Sequence, residues 1–163
     1  MKFSFVTTIL IALCISFSVS AQNTSKDELD AVATLFGVQK RAAVKELVQI
    51  TKSDSAAFWK VYASYEEEMK KYRSLSLGVY ERLVRSYSSM DAATADKIAK
   101  DLFELRGSQE KVMMLYYDKM KTATNSILAI QFYQAETYIL TLARANIMQQ
   151  VPTYGQVLKQ AAH

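Results

Sequence analysis

The sequence predicts an all-α protein, a four-helix arrangement built on a long antiparallel central helical hairpin. Three observations carry this expectation. The 163 residues contain one proline and four glycines, a scarcity of turn-formers that argues against a β-sandwich. Phe58, Tyr62, Tyr65, Met69, Tyr72, Val79, Leu83 and Tyr87 recur mostly in steps of three or four, the spacing of one helix face. From 53 to 89 there is no proline, and Gly78 is the only glycine. A helix of that length is a rod of about 55 Å. A globule of this size cannot enclose it, so the other helices must lie along it.

The chain opens with Lys2 and a mainly apolar run from Phe3 to Val19, followed by Val19-Ser20-Ala21. This is the layout of a secretory leader, with cleavage expected before Gln22. An uncleaved anchor is the alternative, because the run just suffices to span a bilayer core of about 30 Å. Leu13 is too bulky for the position before a lipidated cysteine, and Cys14 lies inside the apolar run, so an unlipidated exported protein is expected. Removing 21 of 163 residues leaves 142, enough for one domain with a real core. The expected organisation is a leader over 1–21, a helical domain over 22–152 and a tail over 153–163.

Ser25-Lys26-Asp27-Glu28 reads as a capping box, opening a first helix that runs through Leu29, Val32, Leu35, Phe36 and Leu47 to about Val48. Thr51 is the expected cap of the second helix. On its surface Glu66–Lys70, Glu67–Lys71 and Glu81–Arg85 are acid-before-base pairs four apart, each worth a few tenths of a kcal/mol. Ser88-Ser89-Met90-Asp91 breaks the rod, and Asp91 caps a third helix over about Ala92 to Lys121. A turn this short folds the two into a hairpin and sets Gly107 level with Tyr72, whose ring the glycine would accommodate. Thr122 to Asn125 caps a fourth helix, about Ser126 to Gln150, ended by Pro152. Its apolar residues lie all round, the pattern of a helix buried between neighbours. Glu136 and Arg144 fall in this segment. At eight residues apart they are separated by about 12 Å, so each is expected to find a partner on another helix.

Catalytic chemistry finds few parts. With the leader gone no cysteine remains, and His163, the only histidine, is the last residue. There is no Gly-x-Ser-x-Gly turn, no glycine-rich phosphate loop and no Glu-x-x-His repeat. The expectation is a non-enzymatic protein with no catalytic residue, cofactor or metal, and no small-molecule substrate. Glu66-Glu67-Glu68 point about 100° apart on a helix and cannot converge on one ion. Met69, Met113, Met114, Met120 and Met148 sit on apolar stripes and read as core filling rather than as soft metal ligands. Loss of Lys2 leaves 19 basic against 16 acidic side chains, a charge of +3. That modest excess, together with export, excludes nucleic acid as the expected partner.

Tyrosines crowd the central hairpin among basic residues. Rings with polar tips suit surfaces that are sometimes dry and sometimes wet, and with arginine they are enriched at binding hot spots. Two placements fit them: core edges with the hydroxyls in water, or a protein-binding face. The residues of such a face would be Tyr62, Tyr65, Tyr72, Arg73, Tyr80, Arg82, Tyr87 and Tyr116.

Phe58-Trp59-x-Val61-Tyr62-x-x-Tyr65-Glu66, then Phe132-x-Gln134-x-Glu136, Arg144 and Val151-Pro152, make the chain resemble a group of small exported helical proteins of Gram-negative bacteria. More distantly it is similar to the Spy/CpxP family of periplasmic stress proteins. Their helices often open with Leu-Thr-x-x-Gln, to which Ile50-Thr51-x-x-Asp54 and Met90-Asp91-x-x-Thr94 are degraded matches. The resemblance implies a periplasmic, ATP-independent chaperone or envelope-stress adaptor, often a homodimer, acting on unfolded or envelope proteins. The alternatives are a regulatory subunit of a membrane sensor and a structural envelope component.

Overall fold

A computed structural model of the chain describes residues 39–162. The leader, its cleavage site and the Ser25 capping box lie outside the described residues. Two units are distinguished, Met1–Leu47 and Val48–His163. Of the first, the described part is a helix over 39–47, α1, in which Val44 is buried while Leu47 is exposed.

The second unit is all-helical among the described residues: α2 (Ser55–Arg85), a 3-10 turn (Ser86–Ser88), α3 (Ala92–Ala123), α4 (Ser126–Gln150) and α5 (Tyr154–Ala161). The starts of α3 and α4 are capped as the residues at those positions dictate. The Asp91 carboxylate accepts the Thr94 N–H at 2.7 Å, and the Asn125 side chain accepts the Leu128 N–H at 2.9 Å. The α2 helix starts at Ser55 with Asp54 at its N-cap and no side-chain hydrogen bond capping it, so Thr51 does not take the expected capping position. Its hydroxyl instead closes the turn before the helix, accepting the Asp54 N–H at 3.2 Å and donating to the Asp54 carboxylate at 2.7 Å.

Segment 153–163, expected as a tail, contains α5. Thr153 and Gln156 form a full capping box there, each satisfying a backbone N–H of the other. Pro152 ends α4 and stands just outside the new helix, where its missing N–H costs nothing.

Contacts between α2 and α3 run in opposite directions along the two helices. Arg82 pairs with Asp101 at 2.9 Å near the turn, and farther away the Tyr116 hydroxyl donates to the Ser64 carbonyl at 2.9 Å. The α4 helix joins them from the far end: Phe132 meets Tyr62 and Tyr65 edge-on, at 6.3 and 5.1 Å between ring centroids. The core is one stripe from each of α2, α3 and α4. Phe58, Tyr62, Tyr65, Met69 and Val79 come from α2, and Ile98, Leu105, Val112, Met113, Tyr116 and Met120 from α3. From α4 come Leu128, Ala129, Phe132, Ala135 and Ile139.

Three expectations are corrected. Gly107 makes no room for Tyr72: a Cβ built there meets nothing within 4 Å. The α4 helix is not buried all round, because Ile127, Ile130, Tyr138 and Met148 are exposed; it packs by one face and leaves the other apolar and wet. The surface ion pairs also shift by one residue. Lys70 pairs with Glu67 at 2.6 Å and Lys71 with Glu68. Glu66, turned toward the inner side, instead meets Arg73 two turns on at 3.6 Å.

Candidate functional site

Of the eight residues expected on a binding face, three belong to the interior. Tyr65 is fully buried, and Tyr62 and Tyr116 are nearly so. This corrects the expectation that they are presented to a partner, and the reason is spacing. Positions 58, 62, 65 and 69 form the narrow α2 stripe that α3 and α4 cover. Rings in contact there gain from edge-to-face geometry as well as burial. Along α2 the Phe58 ring stacks on Tyr62 and Tyr62 meets Tyr65 at a tilt, while Tyr65 and Tyr116 meet at 5.5 Å across the α2–α3 seam.

At this centre lies Glu136, a carboxylate with no exposed surface. The Tyr62 hydroxyl donates to it at 2.9 Å, so the partner expected on another helix is present. Burial pushes the Tyr62 pKa well above the ordinary phenol value, and the charges of Glu136 and Glu66 push it the same way. Tyr65 is raised by burial first and by Glu136 next, with Arg73 opposing. Each ring therefore stays neutral and can donate a hydrogen bond throughout the ordinary pH range. Arg144 is half-buried and forms no ion pair among the described residues.

The other five predicted residues divide by side of the helix. Arg82 is exposed and committed to Asp101. Tyr72 is half-buried, with the Lys71 ammonium 5.0 Å from its ring centre. Arg73, Tyr80 and Tyr87 fall on one line together with two residues the sequence reading missed, Leu77 and Val84. The positions 73, 77, 80, 84 and 87 alternate in steps of four and three, the spacing of a single contact stripe. Leu77 and Val84 are 51% and 41% exposed, whereas Arg73, Tyr80 and Tyr87 are half-buried. At its end the Tyr87 hydroxyl donates to the Pro152 carbonyl at 2.7 Å, and the ring stacks on Tyr154 at 5.5 Å. The 4-3-4-3 spacing is present in the sequence, but Leu77 and Val84 lie beside the stripe of buried α2 residues and not on it, so spacing alone does not separate them from the core face.

Burial is uneven along the bundle. On α4 every buried residue lies at or before Ile139, and none from Leu140 to Gln149 is buried. On α2 only Val79 is buried beyond Met69. The Phe58–Phe132–Met120 end is a closed core. The other end, carrying the 73–87 stripe and the second half of α4, keeps its apolar side chains partly wet.

Among the described residues no group of three or more His, Cys, Asp or Glu side chains gathers to hold a metal ion, and no helix is long and apolar enough to cross a membrane. No family model, curated protein or solved structure matches the chain.

Proposed function

We propose that this is a non-enzymatic binding protein of the bacterial envelope, exported by a cleaved leader to the periplasm. It engages unfolded or envelope proteins through a helical surface, without ATP and without a cofactor. The observation that supports this reading is the half-dry stripe Arg73–Leu77–Tyr80–Val84–Tyr87 at the loosely packed end. Apolar groups at helical contact spacing favour an extended or helical apolar client segment. The charges beside them and the polar tips of the rings keep that contact weak enough to release. In this reading the α2–α3 pair corresponds to the helical hairpin of Spy/CpxP-like proteins, and the client-facing residues are the wet ones of the stripe rather than the buried tyrosines.

The test is light scattering from a chemically unfolded, aggregating client, with and without the purified protein and with no nucleotide. Suppression near equimolar ratio is expected, and a Leu77→Ser/Val84→Ser double variant should lose most of it while keeping its helical circular dichroism. No protection over a wide range of ratios would sink the chaperone reading. Recovery of a single crosslinked envelope partner would then favour a regulatory subunit.

A further inference from the structure

Among the described residues of the Val48–His163 unit, every charged side chain drawn out of open water is answered from within the chain, with one exception. Glu136 accepts a hydrogen bond from Tyr62, and Asp54 accepts one from the Thr51 hydroxyl. Glu66 faces Arg73, Glu68 meets Lys71 and Asp101 meets Arg82. Arg144, half-buried on α4, has neither an ion pair nor a side-chain hydrogen bond. A guanidinium that loses part of its hydration and gains no partner costs free energy, and no described group of the chain offsets it.

The surroundings explain why no partner is at hand. From 137 to 163 the sequence contains no acidic side chain, so neither the rest of α4 nor α5 can supply one. The α3 helix runs back from the Thr124–Asn125 turn, and an equal count of residues from that turn brings Asp101 and Glu104 near the level of Arg144. Asp101 is held by Arg82, and Glu104 lies 3.8 Å from Lys100. The residues three and four positions away on α4, which share its side of the helix, are Leu140, Thr141, Ile147 and Met148. Leu140 and Ile147 are half-buried, and Thr141 and Met148 are exposed. The result is one cation at the centre of a partly wet, mainly apolar patch, at the same loosely packed end as the α2 stripe.

We infer that Arg144 anchors the bound segment by a carboxylate, so that the preferred client is an apolar segment with an acidic side chain among its apolar ones. The planar fork of a guanidinium matches a carboxylate through two parallel hydrogen bonds, and apolar neighbours that exclude water strengthen the pair. A phosphate-bearing surface fits less well, because phosphate recognition uses clusters of arginines and Arg144 is the only basic residue of α4. The inference rests on the client-binding reading and narrows the chemistry of the client.

Fluorescence anisotropy of the purified protein with three labelled leucine–alanine peptides, identical but for a central glutamate, glutamine or lysine, tests it. The glutamate peptide is expected to bind roughly 10-fold more tightly than the glutamine peptide, and the lysine peptide least. Arg144→Gln should erase that order by weakening the glutamate peptide, without lowering the melting temperature, since no internal partner is lost. Arg144→Glu should reverse the order in favour of lysine. Arg144→Lys, which keeps the charge without the fork, should retain only part of it. Equal binding of the three peptides, or an order that survives Arg144→Gln, would overturn the inference and leave the client reading standing. Binding of none would overturn it as well, and the scattering assay would judge the client reading separately. So would Arg144-dependent binding to phosphatidylglycerol vesicles with no order among the peptides.

Discussion

Glu136 and Tyr62 are the pair on which the closed end of the bundle turns. A carboxylate without exposed surface is tolerated because hydrogen-bond donors meet it, and Tyr62 supplies one of them at 2.9 Å. Tyr62→Phe keeps the ring and deletes that donor, so it is expected to cost about 1.5–3 kcal/mol, read from urea unfolding. The same rings make the fold sensitive to alkali. The pKa values of Tyr62 and Tyr65 are raised in the folded state above the ordinary value of 10.0. Below pH 10 both states keep their protons and the contribution is complete. Above it the unfolded chain alone ionises, so stability should fall by about 1.4 kcal/mol per pH unit for each ring. Tyr65→Phe should make that fall shallower, and an unchanged slope in the variant would contradict the assignment.

At the scale of the helices, local chemistry and packing contribute separately. Asn125 caps α4 through the Leu128 N–H, so Asn125→Ala should lower stability by about 1 kcal/mol. The Asp91 cap carries an acid dependence. Hydrogen bonds from Thr94, side chain first and backbone second, hold its pKa below the ordinary 3.8. Its contribution is present above that ordinary value and is lost as pH falls through the lowered one; Asp91→Asn should remove this part of the acid transition. Gly107→Ala is expected to stabilise the folded monomer by about 1 kcal/mol, because nothing lies within reach of the added carbon. Thermal melting reads this directly. A loss of stability instead would mean that a neighbour approaches Gly107 after all. Helix extents at this scale were legible beforehand: α4 spans Ser126–Gln150, as the Asn125 cap and Pro152 dictate. The helix α5 was overlooked, although Thr153 and Gln156 carry the capping-box signature at the right spacing.

For the molecule as a whole, the decisive property is the gradient of burial from the Phe58–Phe132 end to the Tyr87–Pro152 end. Large-to-small changes should therefore have position-dependent effects. Phe132→Ala, in the closed core, should cost about 3–5 kcal/mol, and Leu77→Ala, half of whose side chain already meets water, far less. Client protection should show the reverse ranking, with Leu77 mattering more than Phe132 at temperatures where both variants remain folded. If protection instead followed stability across the two variants, the wet stripe would have no separate role.

The sequence alone determined the all-helical class, the long α2 rod, the breaks near 90 and 125, and Glu136's need for a partner. These follow from periodicity, capping residues and the cost of an unpaired buried charge, which act within a few residues or on one side chain. Only the tertiary structure decided which tyrosines are core and which are wet. Tyr62, Tyr65 and Tyr80 look alike in one dimension, and their burial depends on where α3 and α4 lie against α2. The same holds for the outer face of α3. That Gly107 faces open space, and not the Tyr72 ring expected there, depends on how far apart whole helices stand, which no local pattern encodes.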